Sequence, residues 1–192
     1  MTEDLHDRQK SQAAAVAGSP HTIESLPILV LSPHSRCNCR CVMCDIWKIT
    51  AAEEITADDL ASHMADITKL GVRWVVFSGG EPLMHSDLFR LAAVLKTRPV
   101  RTTMLTTGLL LEANAARIVE SIDDVIVSLD GPAEVHDRIR RVPGAFEELR
   151  KGVAALREVS AQYPVAGRCT VQRANHRHLC ETVSAARQLG LD

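Results

Sequence analysis

The stretch "PILVLSPHSRCNCRCVMC", residues 27–44, joins a short apolar run to a dense group of cysteines. The apolar part, residues 27–32, predicts a buried β-strand. The loop that follows it contains four cysteines within eight positions: Cys37, Cys39, Cys41 and Cys44. Elsewhere the chain has only Cys169 and Cys180. The loop after the first strand is therefore the first place to look for a functional site.

Downstream of this loop, apolar runs alternate with segments of helical periodicity. Further strands are predicted at residues 72–78, 100–107, 124–130 and 165–172, each followed by an amphipathic helical pattern. Strict alternation of this kind indicates an α/β fold with parallel strands and about five βα units. A closed eight-unit barrel needs roughly 250 residues, so the sheet is expected to be an incomplete TIM-type barrel or an open doubly wound sheet. In either fold the chemistry lies in loops after the strands' carboxyl ends.

Local signals refine three of these segments. Thr56 and Asp59 have the spacing of a capping box for a helix that Gly71 is placed to end. Ser86 is expected to cap the next helix. The basic run "HDRIRR", residues 136–141, is interpreted as a solvated loop beside the site.

Composition narrows the class of protein. The net charge is −2 and aromatic residues make up 3%, which argues against a nucleic-acid partner. The sequence predicts no membrane span and no secretory signal, hence a cytoplasmic protein whose thiols stay reduced. Residues 1–22 are predicted to be a flexible leader and residues 23–192 a single core domain.

The cysteine spacing allows more than one kind of site. Zinc modules usually pair one C-x2-C with a second, distant pair, and Cys41–Cys44 has no such partner. The triplet Cys37, Cys41 and Cys44 reads C-x3-C-x2-C, and three thiolates can hold three irons of a four-iron cluster and leave the fourth iron open. A structural zinc site and a cluster with Cys39 as fourth ligand both remain alternatives.

A second motif, "FSGGEP" at residues 77–82, follows the second predicted strand. Gly79 and Gly80 would let the backbone approach a ligand closely, and Glu81 would supply a fixed acceptor at the same rim. A plain strand-to-turn break is the alternative for such a motif taken alone.

Together, "CNCRCVMCDIW" and "GGEP", in this order, resemble the radical S-adenosylmethionine (radical SAM) superfamily. The resemblance implies that Cys37, Cys41 and Cys44 ligate a 4Fe–4S cluster whose open iron is chelated by S-adenosylmethionine. It also implies that the GGEP turn binds the ammonium group of that ligand. Met43 stands where the family usually has an aromatic residue near the adenine.

The resemblance carries weaker expectations as well. Ser128, at the end of the fourth strand, is expected near the ribose or methionine part of the ligand, and Gln172, on the fifth strand, is expected to reach it. Similar proteins have six βα units, so this chain is expected to hold about five of them in a partial radical SAM barrel. It is accordingly expected to be a fragment or a truncated product. The chain is expected to be an enzyme, with an inactive fragment as the alternative.

The implied activity is reductive cleavage of S-adenosylmethionine to a 5′-deoxyadenosyl radical that abstracts hydrogen from a substrate. Peptide or cofactor maturation is the expected setting, with a small-molecule or peptide substrate. The electron is expected from a donor such as flavodoxin or ferredoxin. The rival functions are those of a non-catalytic iron–sulfur protein and of a zinc-binding structural protein.

Overall fold

The computed structural model describes residues 23–50 and 53–192, and its centre is one parallel sheet. Its five strands are β1 (Ile28–Leu31), β2 (Trp74–Phe77), β3 (Arg101–Thr106), β4 (Asp124–Ser128) and β5 (Val165–Arg168). They neighbour one another in the order β1-β2-β3-β4-β5, and every pair is parallel. Doubly wound sheets reverse their strand order at a switch point, whereas barrels keep it sequential. The prediction of a partial TIM-type barrel is therefore confirmed.

Helices follow the strands along the chain. They are α1 (Ala57–Ser62), α2 (Met64–Lys69), α3 (Leu88–Leu95), α4 (Leu111–Ser121), α5 (Ala133–Arg140), α6 (Ala145–Val159) and α7 (Leu179–Gln188). The core includes strand residues such as Phe77 and Met104 and helix residues such as Leu91 and Ile118, all with no exposed surface. Burying each large apolar side chain stabilises the fold by roughly 1.5–3 kcal/mol. Within the described ranges, no helix has the length and apolar character needed to cross a membrane.

Of the two predicted helix N-caps, one is confirmed and the other is wrong. The capping box is confirmed, because Thr56 Oγ1 accepts from the Asp59 N–H at 3.1 Å and Asp59 accepts from the Thr56 N–H at 2.9 Å. The single helix expected up to Gly71 is instead two short helices that meet at His63. The prediction for Ser86 is wrong, since α3 begins after Asp87 and the Ser86 hydroxyl donates to Glu54. The predicted leader, residues 1–22, lies outside the described residues.

The segment interpreted as a solvated basic loop is a helix, α5, and part of it is buried. His136 and Arg140 both face inward, so the interpretation of "HDRIRR" as a charged surface loop is wrong. The helix ends at Arg141 in the left-handed region, with φ of 54°. Asp137 ties it to the start of α6 by accepting from the backbone N–H of Gly144 at 2.7 Å and of Phe146 at 2.9 Å.

The turn after β2 supports the loop after β1 through direct backbone contact. A Cβ atom on Gly80 would lie 1.9 Å from the carbonyl oxygen of Arg36. Gly79 has a φ of +101°, and a Cβ there would lie 2.6 Å from the carbonyl oxygen of His34. Both glycines are therefore required for the two loops to touch. The sequence instead predicts that they allow the close approach of a ligand.

Three hydrogen bonds join the same two loops. The Gly80 N–H donates to the His34 carbonyl at 3.3 Å, and the Glu81 N–H donates to the Arg36 carbonyl at 2.8 Å. The third hydrogen bond joins His34 Nε2 to the Glu81 carbonyl oxygen at 3.0 Å. Because His34 and Arg36 lie three residues and one residue before Cys37, these bonds fix where the cysteine loop starts.

Replacing Gly80 with alanine tests this contact. The added methyl group would overlap the Arg36 carbonyl, so Gly80→Ala is expected to lower the free energy of unfolding by about 1–3 kcal/mol. The measurement is urea denaturation followed by circular dichroism. Gly167→Ala is the matched control, because its Cβ would meet only a Leu191 methyl carbon at 3.0 Å. Equal stability of the two variants would contradict the contact.

Candidate functional site

One cavity at the carboxyl ends of the strands gathers most of the predicted site residues. The residues that line it come from the cysteine loop and the residue Ile46 just after it, the GGEP turn, the ends of β3, β4 and β5, and the end of α5: Cys37, Cys41, Met43, Cys44, Ile46, Ser78, Gly79, Gly80, Leu105, Thr106, Thr107, Ser128, Arg140, Arg168 and Thr170. All three predicted thiols are in this set. Cys39 is not, and only 1% of its surface is exposed. The structure thus separates the triplet from the fourth cysteine of the loop.

The far side of the cysteine loop is held by the end of α5. The Arg40 N–H donates to the Arg140 carbonyl at 3.2 Å, and the Val42 N–H donates to the Ile139 carbonyl at 2.9 Å. These bonds flank Cys41 on both sides. The last carbonyls of a helix have no partner within it, so the loop satisfies groups that would otherwise be left without a hydrogen bond.

The side chain of Arg140 approaches Cys41 directly. Its Nη1 lies 3.6 Å from Cys41 Sγ, and its Nη2 lies 2.6 Å from Asp130 Oδ2. The second contact is an ion pair rather than an aligned hydrogen bond. Both partners are buried, Arg140 at 7% exposure and Asp130 at 0%. A cation is thus held beside one thiol of the predicted triplet.

The two central thiols of the loop differ in their affinity for a proton. A hydrogen bond from Cys39 and the nearby Arg140 guanidinium lower the pKa of Cys41 to about 6, against the opposing effect of burial. The hydrogen bond to Cys41 and burial raise the pKa of Cys39. Burial also raises the pKa of Cys37. Metals bind the thiolate, and the lowered pKa of Cys41 favours that form.

Glu81 occupies a different place from the one that the sequence suggested. Its carboxylate is fully buried and accepts from the Thr107 N–H at 2.6 Å, the Thr106 hydroxyl at 2.9 Å and the Leu83 N–H at 3.2 Å. Burial raises its pKa. It lies behind the cavity wall instead of at the rim, because it joins the GGEP turn to the end of β3. The predicted contact between Glu81 and a cofactor remains a prediction. The buried position of the side chain, away from the cavity lining, does not favour it.

Gln172 is the other predicted residue that the structure leaves off the cavity wall. β5 ends at Arg168, four residues earlier than Gln172. The chain turns there because Asn175 bonds the Thr170 carbonyl, the Gln172 N–H and the Asp130 carbonyl. Arg168 and Thr170 line the cavity from this segment instead.

Arg140 is the principal residue that the sequence interpretation missed. A signal was present: Val135, His136, Ile139 and Arg140 recur at helical spacing, and all four are buried. The three charged residues among "HDRIRR" that stay exposed or partly exposed hid this periodicity.

The residues present fit an iron–sulfur cluster better than a single metal ion. Two nitrogen donors beside the loop, Arg140 Nε and Asn38 Nδ2, are buried without a hydrogen-bond partner, as expected beside a group that supplies acceptors. Across residues 23–50 and 53–192, no three His, Cys, Asp or Glu side chains are grouped to hold a metal ion. A zinc site needs its ligands around one centre, whereas a cluster takes each thiolate on a separate iron.

Comparison with known proteins agrees with this arrangement. The sequence profile of the Radical SAM superfamily matches residues 31–186. An AdoMet-dependent heme synthase from Methanosarcina barkeri is 31% identical over 159 residues, covering 80% of this chain and 45% of that protein. An Fe-coproporphyrin III synthase from the same organism is 31% identical over 157 residues, covering 80% and 39%. The chain spans less than half the length of these two relatives.

Solved structures share the fold. SuiB of Streptococcus suis has a TM-score of 0.71 in complex with S-adenosylmethionine and 0.72 in complex with its precursor peptide SuiA. Both are 18% identical in sequence and cover all of this chain, with 44% and 45% of SuiB covered in return. The family that these comparisons identify uses a 4Fe–4S cluster and S-adenosylmethionine. The chain belongs to the radical SAM superfamily.

Proposed function

We propose that this chain is the catalytic core of a radical SAM enzyme, with Cys37, Cys41 and Cys44 as the three cluster ligands. The observation that carries the proposal is the single cavity lined by these three thiols and by Gly79 and Gly80. The exclusion of Cys39 from that cavity supports a cluster with one iron left open to a small molecule. A fourth thiolate would favour electron transfer or a structural role.

The other lining residues have separate roles in this proposal. Gly79 and Gly80 present backbone atoms to the amino-acid end of S-adenosylmethionine. Ser128 offers a hydroxyl from the end of β4 to the same cavity. Met43, which is 37% exposed, would pack against the adenine through its thioether. When bound, the cluster and S-adenosylmethionine supply a 5′-deoxyadenosyl radical, and the chain's own part is to bind, orient and exclude water.

The supporting framework extends over residues 23–192, which we propose as one core domain. Glu81 acts as a positioning residue here, because it links the turn that carries Gly79 and Gly80 to Thr106 and Thr107. A low-potential one-electron donor such as flavodoxin or ferredoxin would reduce the cluster. The activity of the whole protein, its location in the cytoplasm and this donor are parts of the proposal.

For the substrate we propose cofactor maturation, with an iron porphyrin as the first candidate class. Two relatives at 31% identity are named as a heme synthase and an Fe-coproporphyrin III synthase. The likeness to SuiB, which binds a precursor peptide, is one of fold at 18% identity, so it supports peptide modification less strongly.

The ligand assignment predicts which cysteines the cluster needs. Cys41→Ala is expected to lose the cluster, since two remaining thiolates cannot hold it, while Cys39→Ala retains about four irons per chain. Iron and sulfide are measured after anaerobic reconstitution, with Cys180→Ala as the control for loss of an exposed thiol. Loss of iron in Cys39→Ala with retention in Cys41→Ala would contradict the assignment.

The site assignment predicts a reaction that needs no substrate. With dithionite, the reconstituted chain is expected to convert S-adenosylmethionine to methionine and 5′-deoxyadenosine, measured by chromatography. Ser128→Ala should raise the KM for S-adenosylmethionine about fivefold, because one hydrogen bond contributes about 1 kcal/mol. Ser184→Ala, on the exposed face of α7, should leave it unchanged.

Fe-coproporphyrin III is then added to test the substrate class. A change in its mass that depends on S-adenosylmethionine supports the porphyrin. Cleavage of S-adenosylmethionine with an unaltered porphyrin would remove that substrate and leave the core reaction intact. No cleavage by a chain that holds its full cluster would contradict the proposed function.

A further inference from the structure

Arg140 makes a contact with Cys41 that the ligand assignment does not require. Its Nη1 lies 3.6 Å from the sulfur, and the side chain is almost fully buried between the cysteine loop and the end of β4. On the opposite side, Nη2 lies 2.6 Å from Asp130 Oδ2. The guanidinium therefore bridges a predicted cluster thiolate and a buried carboxylate.

The carboxylate end of this bridge is fixed from two other elements. Asp130 Oδ1 accepts from the Thr170 N–H at 3.0 Å, and the Asp130 carbonyl accepts from Asn175 Nδ2 at 3.0 Å. The Asp130 N–H donates to His136 Nδ1 at 3.2 Å. Burial lowers the pKa of His136 to about 4, so that ring is neutral and adds no second positive charge near pH 7.

The guanidinium end is fixed as well. The Arg140 carbonyl accepts from the Arg40 N–H within the cysteine loop, so backbone and side chain of one residue both hold that loop. Swinging the side chain away would leave Asp130 buried without its cation, which is costly. The positive charge is therefore held close to Cys41.

We propose that the Arg140–Asp130 pair sets the reduction potential of the cluster bound by Cys41. This inference rests on the proposed function, because it needs Cys41 to be a cluster ligand. Arg140 acts through the cysteine sulfur and is a positioning residue, not a catalytic one. Asp130 limits the effect by partly neutralising the guanidinium.

The physical argument gives opposite signs for the two partners. Reduction adds one electron from the reductant to the cluster and breaks no bond, so the cluster becomes more negative by one charge. A hydrogen bond to a ligating sulfur and a nearby cation both stabilise the more negative state and raise the potential. A buried anion close to the same cation lowers it. Removing Arg140 should therefore lower the potential, and removing the charge of Asp130 should raise it.

The test is a redox titration of the reconstituted full chain, monitored by the EPR signal of the reduced cluster without S-adenosylmethionine. Arg140→Met is expected to lower the ratio of reduced to oxidised cluster about tenfold at a fixed potential, a shift of about 59 mV for one electron. Arg140→Gln, which keeps a neutral N–H donor, should shift it less in the same direction. Asp130→Asn should shift it the other way.

Arg138→Met is the matched control, since it removes the same charge from an exposed position on the same helix. Its potential should equal that of the unaltered chain. If Arg140→Met does not retain a cluster, Arg140→Gln and Asp130→Asn still decide the sign.

Unchanged potentials in the Arg140 and Asp130 variants, or shifts of the same sign, would overturn the inference. So would failure of all three to assemble a cluster that Arg138→Met assembles, because the pair would then serve assembly alone. Absence of a cluster in the unaltered chain would instead contradict the proposed function.

Discussion

The contact between the glycines of the GGEP turn and the backbone before Cys37 is the constraint on which the site depends. The two backbone segments approach so closely at Gly80 that a Cβ there would lie 1.9 Å from the carbonyl oxygen of Arg36. Hydrogen bonds from Gly80 and Glu81 to the carbonyls of His34 and Arg36 complete it. The Glu81 carboxylate also accepts from the N–H of Thr107, the residue that follows β3. The segments that follow β1, β2 and β3 are thus joined to one another by hydrogen bonds next to the cysteine loop.

The opposite side of the loop rests on α5, and this second support determines the chemistry of Cys41. Backbone bonds from Arg40 and Val42 hold the loop to the helix end. The same helix end delivers Arg140 to the sulfur of Cys41, while Cys39 donates a hydrogen bond from within the loop. Cys39 and Cys41 are two residues apart, yet Cys41 lines the cavity beside Arg140 and Cys39 does not. Their surroundings, and not their spacing, therefore distinguish the two thiols.

The alternation of strand and helix patterns predicted where the five strands lie. The expectation that residues 27–32 form a buried strand is wrong, because β1 lies at the edge of the sheet with Ile28 and Val30 exposed at 45% and 60%. Cys37, Cys41 and Cys44 were expected to lie together because they fall within eight residues of one loop, and they do line one cavity. The order of the strands in the sheet could not be predicted, because periodicity does not show which strands are neighbours. A partial barrel and a doubly wound sheet therefore remained alternatives. The burial of Arg140 and Glu81 was missed for a related reason. Each buried charged side chain has a partner from a distant part of the sequence. Arg140 forms an ion pair with Asp130, and Glu81 accepts a hydrogen bond from the Thr107 N–H. Such compensation is visible only once the fold brings the partners together.

The most direct test of the central claim is whether the cluster has one iron that S-adenosylmethionine can reach. The measurement is EPR spectroscopy of the anaerobically reconstituted, dithionite-reduced chain, with and without S-adenosylmethionine. A cavity lined by three cysteine ligands predicts a four-iron signal whose g-values shift when S-adenosylmethionine binds. A four-iron signal that is identical in both samples would contradict it, because the fourth iron would then be closed by a protein ligand.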